Sequence, residues 1–259
     1  MNESNQILNQ ILNQISSRKG QIAILIDPEK CANHQNLLEL LKKAFFANVD
    51  YLFVGGSTVT REQFSTCVEF INKNSKIPLV IFPGASHQIS DQADALLYLS
   101  LISGRNPDFL IGHHVNSASE VFSMKIETIP SGYILIDGGT NSSVAYVSQT
   151  TPIPGNKMSI IQNTAKAGIL KGNRLLYFDA GSGAKNHVPV DVVKKADTLN
   201  VPIIVGGGIR NIEQLERMRN AGANVIVIGN KIEEDINFLL EIKSFIELSP
   251  LNCKPVVKS

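Results

Sequence analysis

Three short apolar runs in the second half of the chain each end in glycine. The runs and the residues that follow them are Leu175–Phe178 before Asp179 to Gly183, Ile203–Val205 before Gly206 to Gly208, and Val225–Ile228 before Gly229 and Asn230. Glycine adopts positive φ and lets backbone N–H groups approach an anion closely, so neighbouring glycine turns suit a phosphate. Eight-stranded β/α barrels bind phosphate in the loops after their last strands. The pattern therefore predicts a phosphate site at strands six to eight of such a barrel.

Asp179 lies beside the first of these turns. A carboxylate next to a bound phosphate is electrostatically unfavourable unless it has a task, and Asp179 could accept a hydrogen bond from a substrate hydroxyl and act as a general base. The alternative is that it only caps the turn through its own side chain. Strand alternation places Tyr177 on the same side as Asp179, where it could donate to a ligand or fill the barrel interior.

Asp27 and Ser57 follow the first two predicted strands, so both are expected at one rim of the sheet. A carboxylate and a hydroxyl can hold Mg²⁺, which keeps its other positions for water and substrate phosphate. The alternative is that each residue caps the helix that follows its strand. Spacing alone favours neither interpretation.

The histidines and cysteines give weaker signals. His113 and His114 are adjacent, so both cannot face one ion on a regular element, and no third ligand is evident; a metal site there is disfavoured. The three cysteines, Cys31, Cys67 and Cys253, form no CxxC pair. Their spacing argues against a disulfide framework or a structural zinc site and predicts a cytoplasmic protein.

The elements that would position these residues alternate between strands and helices along the 259 residues. The five strands predicted before the glycine-ended ones are Gln21–Ile26, Tyr51–Val54, Pro78–Phe82, Ala95–Ile102 and Tyr133–Ile136. The predicted helices include Leu37–Phe45, Arg61–Asn72, Lys157–Leu170, Val190–Leu199, Glu213–Asn220 and Asp235–Leu248. About a dozen residues separate strands three and four, so the third helix is expected to be short or replaced by a loop. Residues 140–156 are expected to form a long loop.

The fold class predicted is therefore a single α/β domain over residues 1–259, a TIM-type (β/α)8 barrel. A doubly wound open sheet would use the same alternation with fewer strands, but Asp27-Pro28 stands where that fold needs a Gly-x-Gly turn. Apolar residues at helical spacing predict an amphipathic helix over residues 1–18 that packs on the barrel. Docking on a membrane surface is the alternative for this helix.

The charge and the apolar runs of the chain bear on two kinds of partner, nucleic acid and membrane. The chain has 24 basic and 23 acidic residues, so its charge gives no reason to expect nucleic acid. No segment approaches the ~18 uninterrupted apolar residues that a membrane-spanning helix needs. We therefore expect at most peripheral membrane contact.

Several motifs in this order resemble one known family. They are Leu25 to Lys30, Val54 to Ser57, Phe82 to Gly84, Ser103 to Pro107, Tyr177 to Ala184, Val205 to Arg210, and Gly229-Asn230. Together they resemble the geranylgeranylglyceryl phosphate synthase family and its bacterial heptaprenylglyceryl phosphate synthase relatives. A single glycine motif would be weak, whereas the full order covers almost the whole chain.

The resemblance implies a prenyltransferase of ether-lipid synthesis. Such an enzyme would use Mg²⁺ to join sn-glycerol 1-phosphate to a polyprenyl diphosphate, here geranylgeranyl diphosphate. It implies Mg²⁺ positions at Asp27 and Ser57. It implies a glycerol-phosphate site at Tyr177, Phe178, Asp179, Ala180, Gly181, Ser182, Gly183, Gly207, Gly208, Gly229 and Asn230. Many members of the family carry Glu where this chain has Asp179. The segment Asp137-Gly138-Gly139 also differs from the versions expected in the family after the fifth strand, so the role of Asp137 stays open.

The expected polyprenyl tail needs an apolar groove, and the shortened connection between strands three and four leaves room for one. Leu97, Tyr98, Leu99, Leu101 and Ile102 could line it, or could simply form strand core. Two other functions stay open: a phosphate-binding barrel isomerase or cyclase of amino-acid biosynthesis, and a barrel that binds a phosphorylated ligand or flavin without catalysis. Relatives in the family commonly form dimers or hexamers, so we expect a homo-oligomer.

Overall fold

The protein, a computed structural model in which residues 6–15, 20–31 and 33–248 are described, is a closed barrel of eight parallel strands. The strands are β1 (Gln21–Ile26), β2 (Tyr51–Val54), β3 (Leu79–Ile81), β4 (Ala95–Leu101), β5 (Glu127–Leu135), β6 (Leu175–Asp179), β7 (Ile203–Gly206) and β8 (Val225–Ile228). The barrel closes where β8 pairs with β1, with Ile22 opposite Ile226. The predicted barrel is confirmed.

Helices surround the strands. They are α1 (Gln6–Ile15), α2 (His34–Phe46), α3 (Arg61–Asn74), α4 (His113–Ser123), α5 (Ser143–Val147), α6 (Met158–Leu170), α7 (Val190–Asp197), α8 (Ile212–Asn220), α9 (Asn230–Glu234) and α10 (Phe238–Leu248). A 3-10 turn spans Pro28–Lys30 and a π-helical turn spans Asp108–Gly112. Residues 82–94, between β3 and β4, contain no helix, as expected.

Two apolar layers follow from strand alternation, because successive side chains point to opposite faces. In β6, Tyr177 packs with Tyr133 inside the barrel, whereas Phe178 packs in the outer layer between the strands and the helices. The continuous apolar runs of the strands are needed because both faces are buried.

Helix α1 packs across the end of the barrel opposite to the glycine turns. Its Ile7, Leu8 and Ile11 join the apolar cluster of the barrel interior. The N–H groups of Ile7 and Leu8 donate to the carboxylate of Glu127, at 2.7 and 2.9 Å, which satisfies donors that a helix start leaves free. The N-terminal helix is thus present over residues 6–15, and residues 1–5 and 16–18 of the predicted helix lie outside the described part.

Three boundary predictions are wrong. Strand β5 begins at Glu127 and not at Tyr133, the predicted loop 140–156 contains α5, and the helix predicted over Asp235–Leu248 begins only at Phe238, with the separate helix α9 ending before Asp235. Ser142 starts α5 by accepting a hydrogen bond from Ala145 N–H at 3.3 Å. Asp235 follows α9 and accepts from Asn237 N–H at 3.0 Å, which supports the break before α10.

The structure brings together two cysteines that are far apart in sequence. Cys31 and Cys67 are both free thiols. The hydrogen bond to Cys31, together with burial, raises the pKa of the Cys67 thiol. Cys253 lies outside the described residues. None of the helices within the described ranges is long and apolar enough to cross a membrane.

Candidate active site

A cavity of about 340 Å³ opens at the carboxyl-terminal rim of the barrel. One part is polar and lies against the glycine turns after β6, β7 and β8 and against the ends of β1 and β2. The other part is apolar and lies against β3, β4 and the π-helical turn. Its apolar wall includes Phe82, Leu96, Tyr98, Leu99, Leu101 and Phe109. One continuous space thus joins a polar end to an apolar end.

Asp179 forms part of the cavity floor and is 7% exposed. Its Oδ1 accepts a hydrogen bond from Gly181 N–H at 2.7 Å, and its Oδ2 accepts one from the Tyr133 hydroxyl at 2.6 Å. Burial raises the pKa of Asp179, and these two hydrogen bonds lower it by a smaller amount. The carboxylate therefore caps its turn and also faces the cavity.

An aromatic cluster supports Asp179 from inside the barrel. Tyr133 and Tyr177 meet edge to face with ring centroids 5.4 Å apart, and Phe82 lies 4.9 Å from the Tyr177 ring. Burial, reinforced by the charge of Asp179, raises the pKa of both tyrosines well above the ordinary value. The two phenols therefore stay protonated; the O–H of Tyr133 donates to Asp179, and the O–H of Tyr177 can donate at the cavity surface.

The glycines after β6 and β7 have the positive φ that the sequence predicts, whereas Gly229 after β8 has φ of −116°. Gly181, Gly183, Gly207 and Gly208 have φ of +88°, +72°, +78° and +73°. A Cβ at Gly207 would lie 2.6 Å from Asp179 Oδ1, and one at Gly208 would lie 2.7 Å from the Asn186 carbonyl oxygen. Only glycine fits there without displacing its neighbours. Gly183 N–H donates to Asn230 Oδ1 at 2.8 Å, which joins the turn after β6 to the start of α9.

Asp27 and Ser57 both line the cavity on its other side. Asp27 Oδ1 accepts from Glu29 N–H at 3.1 Å, so Asp27 does cap the 3-10 turn. Ser57 is not a helix cap, because Thr60 fills that role for α3 and accepts from Gln63 N–H at 3.2 Å. Burial raises the pKa of Asp27, and the negative charges of Glu29 and Glu233 contribute to the rise.

The donor set on this side fits a hard divalent cation that is shared with a substrate. Asp27 and Ser57 offer oxygen ligands, and a Cβ at Gly56 would lie 3.1 Å from Asp27 Oδ1, so the glycine leaves that carboxylate accessible. In the described chain no three His, Cys, Asp or Glu residues form a metal-binding group; Mg²⁺ commonly uses one or two carboxylates and completes its coordination with substrate phosphate and water. Carboxylates outnumber Lys and Arg side chains in the cavity lining, which disfavours a phosphorylated ligand without a bound cation.

Four residues of the predicted glycerol-phosphate site do not line the cavity. Phe178 points to the outer layer by strand alternation, and Ala180 is buried in the same layer. Gly181 and Gly183 instead contribute the backbone N–H groups to Asp179 and Asn230 described above. The other predicted site residues reach the cavity surface: Tyr177, Asp179, Ser182, Gly207, Gly208, Gly229 and Asn230. Asp137, whose role was open, is exposed, and it accepts from Gly139 N–H at 2.8 Å.

The structure adds residues that sequence reasoning did not assign to the site. His113 and His114 line the apolar part, where burial lowers the pKa of His114. Of the predicted groove residues, Tyr98, Leu99 and Leu101 line it as well. Tyr133 was only the first residue of a predicted strand, although its register opposite Tyr177 would have placed both phenols together. Gln88, in the connection between β3 and β4, carried no sequence signal.

Comparison with known proteins identifies the family. The sequence matches the PcrB family over residues 13–247. The chain belongs to the PcrB family. Among relatives named geranylgeranylglyceryl phosphate synthase, the protein of Zunongwangia profunda is 45% identical over 231 residues, which is 88% of this chain and 97% of the relative. The Chitinophaga pinensis protein with that name is 44% identical over 239 residues, or 90% of this chain and 94% of the relative.

Solved structures of the same kind share the fold. The (S)-3-O-geranylgeranylglyceryl phosphate synthase of Thermoplasma acidophilum, in complex with its substrate sn-glycerol-1-phosphate, superimposes with a TM-score of 0.86 at 33% identity. The match covers 94% of this PcrB-family chain and 98% of that structure. The resemblance that the sequence motifs indicated is thus confirmed.

Proposed function

We propose that this PcrB-family protein transfers a geranylgeranyl group from its diphosphate to the C3 hydroxyl of sn-glycerol 1-phosphate. The observation that carries the proposal is the continuous cavity, which joins Asp179 and the glycine turns to an apolar wall. One end suits a small phosphorylated alcohol and the other suits a hydrocarbon tail. The names of the relatives and the bound sn-glycerol-1-phosphate in the Thermoplasma structure support the same reaction.

The residues around Asp179 suit the chemistry at the hydroxyl. The new ether bond forms between the C3 oxygen and C1 of the prenyl group, while the bond from C1 to the diphosphate oxygen breaks. Asp179 is buried with a raised pKa, so its carboxylate is a better proton acceptor than an exposed one. The hydroxyl proton goes to Asp179 or to a phosphate oxygen. Tyr133 and Gly181 hold the carboxylate in place during this transfer.

Asp27 and Ser57 would hold Mg²⁺ at the diphosphate end of the cavity. The ion supplies charge neutralisation for the leaving diphosphate when it is bound. The excess of carboxylates over Lys and Arg side chains in the cavity lining supports such a role for a cation. Lys30 is also at this end, but Glu233 already pairs with it at 2.5 Å.

A product assay tests the proposal. The protein is incubated with sn-glycerol 1-phosphate and farnesyl, geranylgeranyl or heptaprenyl diphosphate, with Mg²⁺ or with a chelator, and sn-glycerol 3-phosphate replaces the 1-phosphate as the control. We expect Mg²⁺-dependent ether product from the 1-phosphate, with geranylgeranyl diphosphate as the best donor. Absence of product from all three donors would contradict the proposed transferase activity. The isomerase or cyclase function and the non-catalytic binding function would then be favoured.

Two further properties are proposed with the activity. We propose a homo-oligomer because Ile111, Val115 and Phe122 follow helical spacing and are 58%, 67% and 90% exposed. Light scattering of the wild type and of Phe122→Glu checks this, with a lower mass expected for the variant. The cytoplasmic location stays a prediction, and the free thiols of Cys31 and Cys67 agree with it.

A further inference from the structure

The connection between β3 and β4, residues 82–94, does more than replace a helix. It folds back over the loop that follows β2 and contains Ser57. At its centre lies Gln88, whose side chain is 0% exposed although it is polar. A buried amide must find hydrogen-bond partners, since leaving it unpaired is costly. The hydrogen-bond partners of Gln88 therefore show which parts of the structure this segment holds in place.

Gln88 hydrogen-bonds both loops through one amide. Its Oε1 accepts from Gly84 N–H at 2.9 Å and from Gly56 N–H at 3.4 Å. Its Nε2 donates to the Gly56 carbonyl oxygen at 2.8 Å. Both backbone polar groups of Gly56 are thus paired with a single side chain from a distant loop.

The two loops are also in direct backbone contact. A Cβ at Gly84 would lie 2.2 Å from the Gly56 carbonyl oxygen, and a Cβ at Gly55 would lie 1.8 Å from the Phe82 carbonyl oxygen. His87 Nε2 makes a second connection, 2.8 Å from the Val59 carbonyl oxygen. The glycines allow the close approach, and the Gln88 amide determines the register in which the loops meet.

Gly56 lies between the two proposed cation ligands. It precedes Ser57 in sequence, and its Cβ position is 3.1 Å from Asp27 Oδ1. A shift of Gly56 therefore moves the Ser57 hydroxyl relative to the Asp27 carboxylate. Small errors in ligand placement strongly weaken metal binding, as the residues that support metal ligands show.

We propose that Gln88 is a positioning residue for the diphosphate end of the site, because it holds Gly56 and Ser57 in register with Asp27. The inference rests on the proposed function, since it concerns the proposed cation site. Gln88 itself touches neither substrate nor cation. Its loss should affect one half of the rim and leave the glycine turns after β6 to β8 unchanged.

The test compares Gln88→Met with Gln92→Met in the full-length protein. Methionine has nearly the volume of glutamine but cannot make the three hydrogen bonds, and Gln92 is an exposed glutamine of the same connection. Gln88→Glu, which keeps the acceptor oxygens and loses the donor to Gly56, serves as a second variant if Gln88→Met does not fold. Thermal unfolding of all variants is measured first.

Two measurements follow. Mn²⁺ binding in the presence of inorganic diphosphate is followed by electron paramagnetic resonance, and amide hydrogen exchange is followed for residues 55–58, 83–86 and 206–209. In Gln88→Met we expect about tenfold weaker Mn²⁺ binding and faster exchange in the first two segments. We expect the third segment and the KM for sn-glycerol 1-phosphate to match those of Gln92→Met.

The outcomes distinguish an error in the proposed cation site from an error in the role of Gln88. If the wild type binds no Mn²⁺ with diphosphate, the proposed cation site is wrong. If the wild type binds and Gln88→Met binds equally well, only the role of Gln88 is wrong. The role of Gln88 is also wrong if residues 55–58 and 83–86 exchange equally fast in Gln88→Met and Gln92→Met. It is wrong as well if Gln88→Met speeds exchange of residues 206–209 as much as that of residues 55–58. Either result would mean that Gln88 does not act locally on Gly56.

Discussion

The two halves of the cavity rim are built in different ways. After β6 and β7, glycines with positive φ set the backbone, and Asp179 is held by the turn that follows it. After β2 and β3, the two loops are held together by one side chain, because Gln88, from the connection after β3, pairs with Gly56 and Gly84. The first half is encoded locally in sequence motifs. The second half depends on contacts between residues that are far apart in sequence, so short sequence motifs do not reveal the residues that hold its loops in place.

The largest effect is expected from Asp27→Ala, which tests whether the halves act independently. We expect kcat to fall roughly 1,000-fold, since charge stabilisation at the leaving group is lost. Binding of sn-glycerol 1-phosphate should change less than about twofold, since distant sites are nearly additive. Steady-state kinetics and calorimetric titration measure the two quantities.

Asp91→Ala is the matched control for this change, because Asp91 is an exposed carboxylate of the connection between β3 and β4. It should behave as the wild type. A strong loss of sn-glycerol 1-phosphate binding in Asp27→Ala would show that the two halves are coupled and would contradict the comparison.

Gly207→Ala should damage the opposite half. Its Cβ would overlap Asp179 Oδ1 at 2.6 Å in a backbone with φ of +78°. We expect the KM for sn-glycerol 1-phosphate to rise about 100-fold, as a small misplacement of binding groups can do, and stability to fall by about 1–3 kcal/mol. Kinetics and denaturant unfolding provide the measurements.

Gly172→Ala separates backbone strain from damage to the site. Gly172 has φ of +97°, but an added Cβ there would meet nothing within 4 Å. It should lose stability and keep its KM. If both glycine variants show the same kinetics, the cavity does not use Gly207 as described.

Tyr133→Phe should have an intermediate effect, about tenfold on kcat, because it removes a hydrogen bond to a charged group. That hydrogen bond lowers the pKa of Asp179, so its loss raises the pKa further. Asp179 must be ionised to accept a proton, and activity is lost as pH falls through its pKa. The acid limb of the kcat/KM profile should therefore move to higher pH.

Tyr146→Phe is the control, since Tyr146 is 84% exposed. An unchanged acid limb in Tyr133→Phe would assign the proton to a phosphate oxygen and not to Asp179. That result would leave Asp179 as a binding residue only.

The smallest effect is expected where one ion pair links the halves. Lys30 Nζ, after β1, lies 2.5 Å from Glu233 in α9, and both side chains are partly exposed. Glu233→Gln should change the free energy of unfolding by less than about 1 kcal/mol. The difference should shrink in high salt, which thermal unfolding at two salt concentrations measures. A larger, salt-independent loss would mean that the pair holds the rim together.

The sequence predicted the barrel and the position of the β6–β8 turns at the cavity because both depend on local patterns. Strands β1 and β2 have the predicted bounds, since continuous apolar runs mark strands that are buried on both faces. Strand β5 was placed too late because Pro130 and Gly132 are residue types that usually interrupt strands. In the barrel, Pro130 still pairs with Tyr98 across β4, and its carbonyl oxygen accepts from Arg174 N–H at 2.8 Å.

The supporting contacts could not be predicted, since they join residues far apart in sequence. Tyr133 reaches Asp179 across 46 positions, and Gln88 reaches Gly56 across 32. Phe178 was included in the predicted site because the whole motif was taken together, whereas strand alternation turns every second side chain away. Applying the two-residue period inside the motif would have removed it.

Helix α1 gives the barrel a closed lower end, with Ile7, Leu8 and Ile11 against the interior and Glu127 capping the helix start. Substrates therefore reach Asp179 through the cavity opening at the carboxyl-terminal rim. Both substrates and both products share this opening. A prenyl diphosphate that arrives first stands in the path of the smaller alcohol. A cavity that opens at this end alone should therefore show inhibition by excess prenyl diphosphate. Raising the glycerol phosphate concentration should relieve that inhibition.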